Sequence, residues 1–105
     1  MTHDEYIGHD ASGLAQLIRA KEVTASELLD LALERVSILN PEVNAVVRLM
    51  EEDARAAAER GTPTGVFAGV PFLAKDLGNE FAGHPTSAGS RLTADIVAKQ
   101  DTELV

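Results

Sequence analysis

The segment Gly69-Val70-Pro71-Phe72-Leu73-Ala74-Lys75-Asp76 places two opposite charges at the end of an apolar run. Withdrawing an ammonium from water disfavours its charged form, so a buried lysine either finds a counter-charge or gives up its proton. The free amine is then a usable general base. Asp76 follows at once, but successive strand residues point to opposite faces, so it need not pair with Lys75. Read on its own, the local sequence favours a plainer alternative: a solvated strand end, where charges commonly sit.

The elements that would hold this lysine can be read on both sides of it. Val70–Leu77 is interrupted only by Lys75 and Asp76, and predicts a strand buried on both faces, as in a largely parallel sheet. Phe81–Ser90, rich in Gly, Ser, Thr and Pro, predicts a long loop. Asp101-Thr102 then resembles the cap of a helix starting at Glu103-Leu104-Val105, which suggests a part of something larger.

Upstream, helices are expected. Asp10 or Ser12 can cap a short one with Leu14, Leu17 and Ile18 on its apolar face, ending near Lys21. Thr24 and Glu27 have the spacing of a capping box, in which each side chain satisfies the other residue's free amide. A helix over Ala25–Leu39 follows, with Leu28, Ala32, Val36 and Leu39 in one stripe and Leu29 and Leu33 widening it. Asn40-Pro41 is expected to stop it, because the residue before proline is pushed out of helical geometry. Val43–Leu49 reads as a strand or extended connector. Glu51–Arg60 is an alanine-rich helix closed by Gly61, and residues 62–65 form a turn-rich linker.

Composition narrows the class. The 105 residues fit one small domain with a thin core, 45% hydrophobic and 25% charged. Aromatic residues supply only 4%, so aliphatic side chains must provide most of the burial. The net charge of −8 argues against nucleic acid or an anionic membrane as partner. Residues 1–60 carry 12 acidic and 6 basic side chains, as solvated helices would; residues 61–105 carry 5 and 3, as a surface meant to be covered would. With no cysteine, disulfides and thiolate metal sites are excluded. The three histidines lack ligand spacing, so neither a metal nor an organic cofactor is expected. His3 and His9 lie in or near a polar tail, and His84 reads as an exposed loop residue. Met1–Asp10 has no apolar run and does not read as a signal peptide, so a cytoplasmic location is expected.

Beyond these local readings, the chain resembles the amidase signature family at four places in order. Ser26-Glu27-Leu28 through Asn40-Pro41-Glu42-Val43-Asn44-Ala45 is similar to a family helix and the NPxxNA turn after it. Gly69-Val70-Pro71 with Lys75-Asp76 is similar to the GVPxxxKD strand. Thr86-Ser87-Ala88-Gly89-Ser90 resembles the TTxGS loop, and Asp101–Val105 the start of the next helix. Single motifs of this kind are weak; four in order are specific, and they reverse the local odds for Lys75.

The resemblance implies an α/β class: N-terminal helices (1–61) and the first strands (62–105) of an α/β/α domain with a mixed central sheet, incomplete here. It implies hydrolysis of a carbon–nitrogen amide bond, other than a peptide bond, by a Ser–cis-Ser–Lys triad acting on a small-molecule amide. Only one of those catalytic positions falls on this chain, Lys75. In the family this lysine is neutral and bonded to the cis-serine, relaying a proton between nucleophile and leaving amine. Both serines belong to a downstream segment with no counterpart here. Ser87 and Ser90 are assigned to satisfying loop backbone, and Gly83, Pro85 and Gly89 to shaping the loop. The chain alone is therefore expected to be inactive, and its expected partner is the rest of the domain or a second copy. The segment Phe67–Leu73 is somewhat closer to members acting on linear or cyclic amides, including nylon oligomers, than to amidotransferase subunits. Two alternatives remain: a non-catalytic helical interaction module, and part of a glutamyl-tRNA amidotransferase A-like subunit.

Overall fold

The computed structural model describes residues 1–61 and 64–105. They divide into two compact units, Met1–Pro71 and Phe72–Val105.

The first unit is helical: α1 (His3–Gly8), α2 (Ala11–Arg19), α3 (Ala25–Val43) and α4 (Glu51–Arg60). Three of the four start on side-chain caps. Asp10 accepts from Gly13 N at 2.8 Å and opens α2. Thr24 and Glu27 form the reciprocal box that opens α3, with Thr24 N donating to Glu27 Oε2 at 2.7 Å and Glu27 N to Thr24 Oγ1 at 3.1 Å. The same device, Thr2 with Glu5, opens α1 where a polar tail was expected. His3 is accordingly not a tail residue: it is half-buried, and its Nε2 lies 3.0 Å from Glu34 of α3.

The end of α2 falls where expected. Lys21 takes a left-handed φ of 59°, while Lys21 N donates to Ile18 O and Glu22 N to Leu17 O, both at 3.0 Å. These two bonds satisfy the last carbonyls of the helix. The chain then turns Val23 into the core beside Leu14 and Leu28, with Tyr6, Leu17, Ile18 and Val70 packed around them. Leu28 is fully buried. Arg55 joins α4 to α3, donating from Nη1 to Asp30 at 2.7 Å and from Nε to Glu51 at 2.9 Å.

The proline stop was misplaced. α3 runs through Pro41 to Val43 and ends at Asn44, whose left-handed φ of 48° and N–H bond to Asn40 O (2.7 Å) close the helix. Pro41 lies in the last turn, where it removes one helical bond without preventing the turn from forming. Residues 44–50 are an irregular connector rather than a strand, and Val43 is helical. α4 matches expectation at both ends, with Gly61 at φ 84° closing it. The expected turn over 62–65 lies partly outside the described residues.

In the second unit, the predicted strand over Val70–Leu77 does not form, and no strand occurs among the described residues. A strand needs neighbours to take its N–H and C=O groups. The described segments supply no ladder here, and Phe72 and Leu73 remain 76% and 71% exposed. What pairs instead is the loop: Pro85 forms an isolated antiparallel bridge with Val97. Gly83 N donates to Ala98 O (2.9 Å), Ala98 N to His84 O (3.0 Å) and Thr102 N to Glu80 O (3.0 Å). The helix expected at Asp101-Thr102 is reduced to one turn. The Asp101 carboxylate, expected to cap it, instead accepts from Ala82 N at 2.7 Å.

Candidate catalytic-lysine segment

Lys75 ends the irregular stretch 71–75, immediately before a turn over 76–78 in which Gly78 takes a positive φ of 77°. Its side chain is exposed, so the desolvation expected of a lysine in a buried strand is not met in these residues. Asn79 Nδ2 donates to the Lys75 carbonyl at 3.4 Å. No group of three or more His, Cys, Asp or Glu that could hold a metal occurs among the described residues. No helix there is long and apolar enough to cross a membrane.

Asp76, by contrast, is half-buried and points into the loop. Its Oδ1 accepts from Ser87 N at 3.0 Å and its Oδ2 from the Ser87 hydroxyl in a short hydrogen bond. Its carbonyl accepts from Ala88 N at 3.0 Å. Thr86 Oγ1 donates to Asn79 O at 3.4 Å, adding a second link between the same two segments. The lysine segment and the Thr86–Ser90 loop, separate motifs along the chain, are thus bonded to each other through the residue after the lysine.

The loop itself is a tight turn. Ala88 and Gly89 both have positive φ, 51° and 72°, and Ser90 N donates to Ser87 O at 2.9 Å. Two successive left-handed residues closed by that bond make a type I′ turn. Thr93 Oγ1 donates to Ser87 O in a second short bond and to Ser90 O at 3.4 Å. Ser90 Oγ accepts from Leu92 N at 3.2 Å, the backbone-satisfying role expected of it. Ser87 differs: its hydroxyl is spent on a carboxylate rather than on loop backbone. Asp76 and Thr93 were missed as organisers of the loop, because nothing in local spacing ties either of them to Ser87.

A profile described as Amidase matches residues 27–105, which contain both bonded segments. The chain belongs to the amidase family. Membership is consistent with the α/β class, although the described residues contribute helices and one isolated bridge. The chain is 44% identical over 68 residues to the 6-aminohexanoate-cyclic-dimer hydrolase of Pseudomonas sp. (strain NK87), covering 65% of this chain and 13% of that protein. It is 39% identical over 98 residues to the lipoamidase of Enterococcus faecalis, covering 90% and 13%. Against a glutamyl-tRNA(Gln) amidotransferase subunit of Methylobacillus flagellatus it is 32% identical over 107 residues, covering 94% and 21%. The chain therefore spans only a small part of the length of these relatives. No solved structure matches it.

Proposed function

We propose that these residues are the front of an amidase domain whose whole protein hydrolyses a small-molecule amide, with Lys75 as its acid–base group. The observation that carries this is the family match over 27–105, in which Lys75 adjoins Asp76, a residue bonded to the Thr86–Ser90 loop. In the family's Ser–cis-Ser–Lys scheme the free amine of the lysine accepts a proton through the cis-serine. The nucleophilic serine then attacks the carbonyl carbon. The relayed proton goes to the leaving nitrogen as the C–N bond breaks, and water hydrolyses the acyl-enzyme to the carboxylic acid. Both serines and the amides that would meet the oxyanion come from elsewhere in the domain, within the mixed sheet of the α/β/α fold, so residues 1–105 alone do not turn over. The site of action is the cytoplasm.

The substrate class is a linear or cyclic amide of the 6-aminohexanoate kind, the reading supported by the 44% identity to the cyclic-dimer hydrolases of Pseudomonas sp. and Paenarthrobacter ureafaciens. The test is amide hydrolysis by the whole protein on 6-aminohexanoate cyclic dimer and on simple carboxamides. Lys75→Ala is expected to lower kcat by at least about a hundredfold, the usual scale of a lost general acid–base group. Unchanged kcat in that variant, or robust turnover by the 105 residues alone, would refute the assignment.

A second reading, part of an amidotransferase A-like subunit, draws support from the 32% identity that runs along 94% of the chain. It predicts glutamine hydrolysis that depends on a partner protein, and no turnover of cyclic amides.

A further inference from the structure

Three bonds to Ser87 and Ala88 leave from the single residue that follows Lys75. The Asp76 side chain takes the Ser87 N–H and hydroxyl, and its carbonyl takes the Ala88 N–H. We infer that Asp76 is the positioning residue of Lys75, holding the lysine's backbone against the Ser87–Ser90 turn. The inference rests on Lys75 being the acid–base group proposed above.

Geometry makes the link direct. Cα atoms of neighbouring residues are about 3.8 Å apart across a trans peptide, so a fixed Asp76 confines the Lys75 backbone to a short arc. Asp76 is fixed from both ends, by its main-chain carbonyl and by its carboxylate. Bonds to an ionised carboxylate are stronger than those between neutral groups.

The anchor at the other end is equally defined. All three polar groups of Ser87 are engaged: N–H and hydroxyl by Asp76, carbonyl by Ser90 N and Thr93 Oγ1. Ala88 beside it sits at φ 51°, a conformation that persists in a side-chain-bearing residue only when its surroundings hold it. A lysine in a sheet would take its position from neighbouring strands. Here the described residues provide a turn eleven positions beyond Asp76, joined through the Asp76 carboxylate and carbonyl.

The substitutions separate positioning from mere folding. Asp76→Ala removes the two side-chain bonds to Ser87. Asp76→Asn keeps an acceptor for Ser87 N and turns its amide toward the hydroxyl, so it should rescue in part. Ser87→Ala removes only the hydroxyl bond. In the 105-residue chain the readouts are amide exchange at Ser87 and Ala88, and backbone 15N relaxation at Lys75. Exchange in Asp76→Ala is expected to accelerate roughly tenfold or more, the scale of a lost bond to a charged group. Order at Lys75 should fall with it, Asp76→Asn and Ser87→Ala should lie between, and helices α1–α4 should be unchanged. In the whole protein, Asp76→Ala is expected to lower kcat roughly tenfold with KM within about twofold. Released amides at Ser87 with undiminished order at Lys75 would overturn the inference, as would a KM effect with kcat intact. If Lys75→Ala leaves hydrolysis untouched, the catalytic reading fails by itself, while exchange and relaxation still decide whether Asp76 positions Lys75.

Discussion

The side-chain amide of Asn40 pairs with both main-chain groups of Val46: Nδ2 donates to Val46 O at 2.9 Å and Oδ1 accepts from Val46 N at 2.9 Å. Asn40 lies in the last turns of α3 and Val46 in the connector beyond it, so the pair sets where the chain goes after the helix. Both bonds are partly buried. Asn40→Ala is expected to cost roughly 1–3 kcal/mol, since two main-chain groups lose their partner. Asn40→Asp should recover only part of this, because a carboxylate accepts from Val46 N but has no hydrogen for Val46 O. Urea unfolding followed by far-UV circular dichroism measures both, and an Asp variant as stable as wild type would refute the two-bond account.

Leu28 is fully buried at the centre of a core with few other buried hydrophobic side chains: Leu14, Ala15, Val23 and Leu29. Leu28→Ala is expected to cost about 2–5 kcal/mol through lost burial and the cavity left behind. Small domains have little stability in reserve, so the helices of the first unit should be largely unfolded at room temperature. Leu39→Ala, at a residue 42% exposed on the same helix, should cost about 1 kcal/mol or less. Equal losses at the two positions would contradict the placement of the core.

The Glu27 carboxylate is held below its ordinary value of 4.5, chiefly by the Thr24 N–H and secondly by the Thr24 hydroxyl. Glu5 is lowered in the same way by Thr2. A carboxylate with a lowered folded-state pKa contributes stability that is complete above the unfolded value. That contribution is lost as pH falls through the folded one. The starts of α1 and α3 should therefore loosen only below about pH 4.5. NMR titration of the two side chains tests this: midpoints at or above 4.5 would remove the basis for it, and Thr24→Ala should return Glu27 toward the ordinary value.

What could be read from the sequence follows from how local each signal is. The Thr24–Glu27 box and the Asp10 cap involve partners within four residues, the Gly61 stop only its own positive φ, and all three stand in the structure. The start of α1 carries the same signal in Thr2 and Glu5, within a segment too short and polar to show a helical apolar stripe. Pro41 misled because its bias acts on one turn, whereas Asn44 supplies the left-handed residue that ends the helix. Val70–Leu77 has the side chains of a strand, but a strand exists only by pairing, and pairing is not a property of its own residues. The ordered motifs around Lys75 were legible. Their bond through Asp76 and Ser87 was not, because a contact across eleven residues leaves no mark in spacing.

The turn at Ala88-Gly89 offers a stability test in which the two positions answer differently. Both have positive φ, and a Cβ built on Gly89 would meet nothing within 4 Å, so crowding plays no part there. At Ala88 the methyl group already bears the cost of the left-handed region, about 1 kcal/mol. Ala88→Gly removes that strain while adding freedom to the unfolded chain, and the two nearly cancel. Gly89→Ala introduces the same strain afresh and should destabilise the turn by about 1 kcal/mol. Gly89→Val, with a branched side chain at φ 72°, should cost more. Amide exchange at Ser90, whose N–H closes the turn on Ser87 O, reads all three variants. Protection lost in Ala88→Gly but kept in Gly89→Val would show that the turn is not held in this conformation.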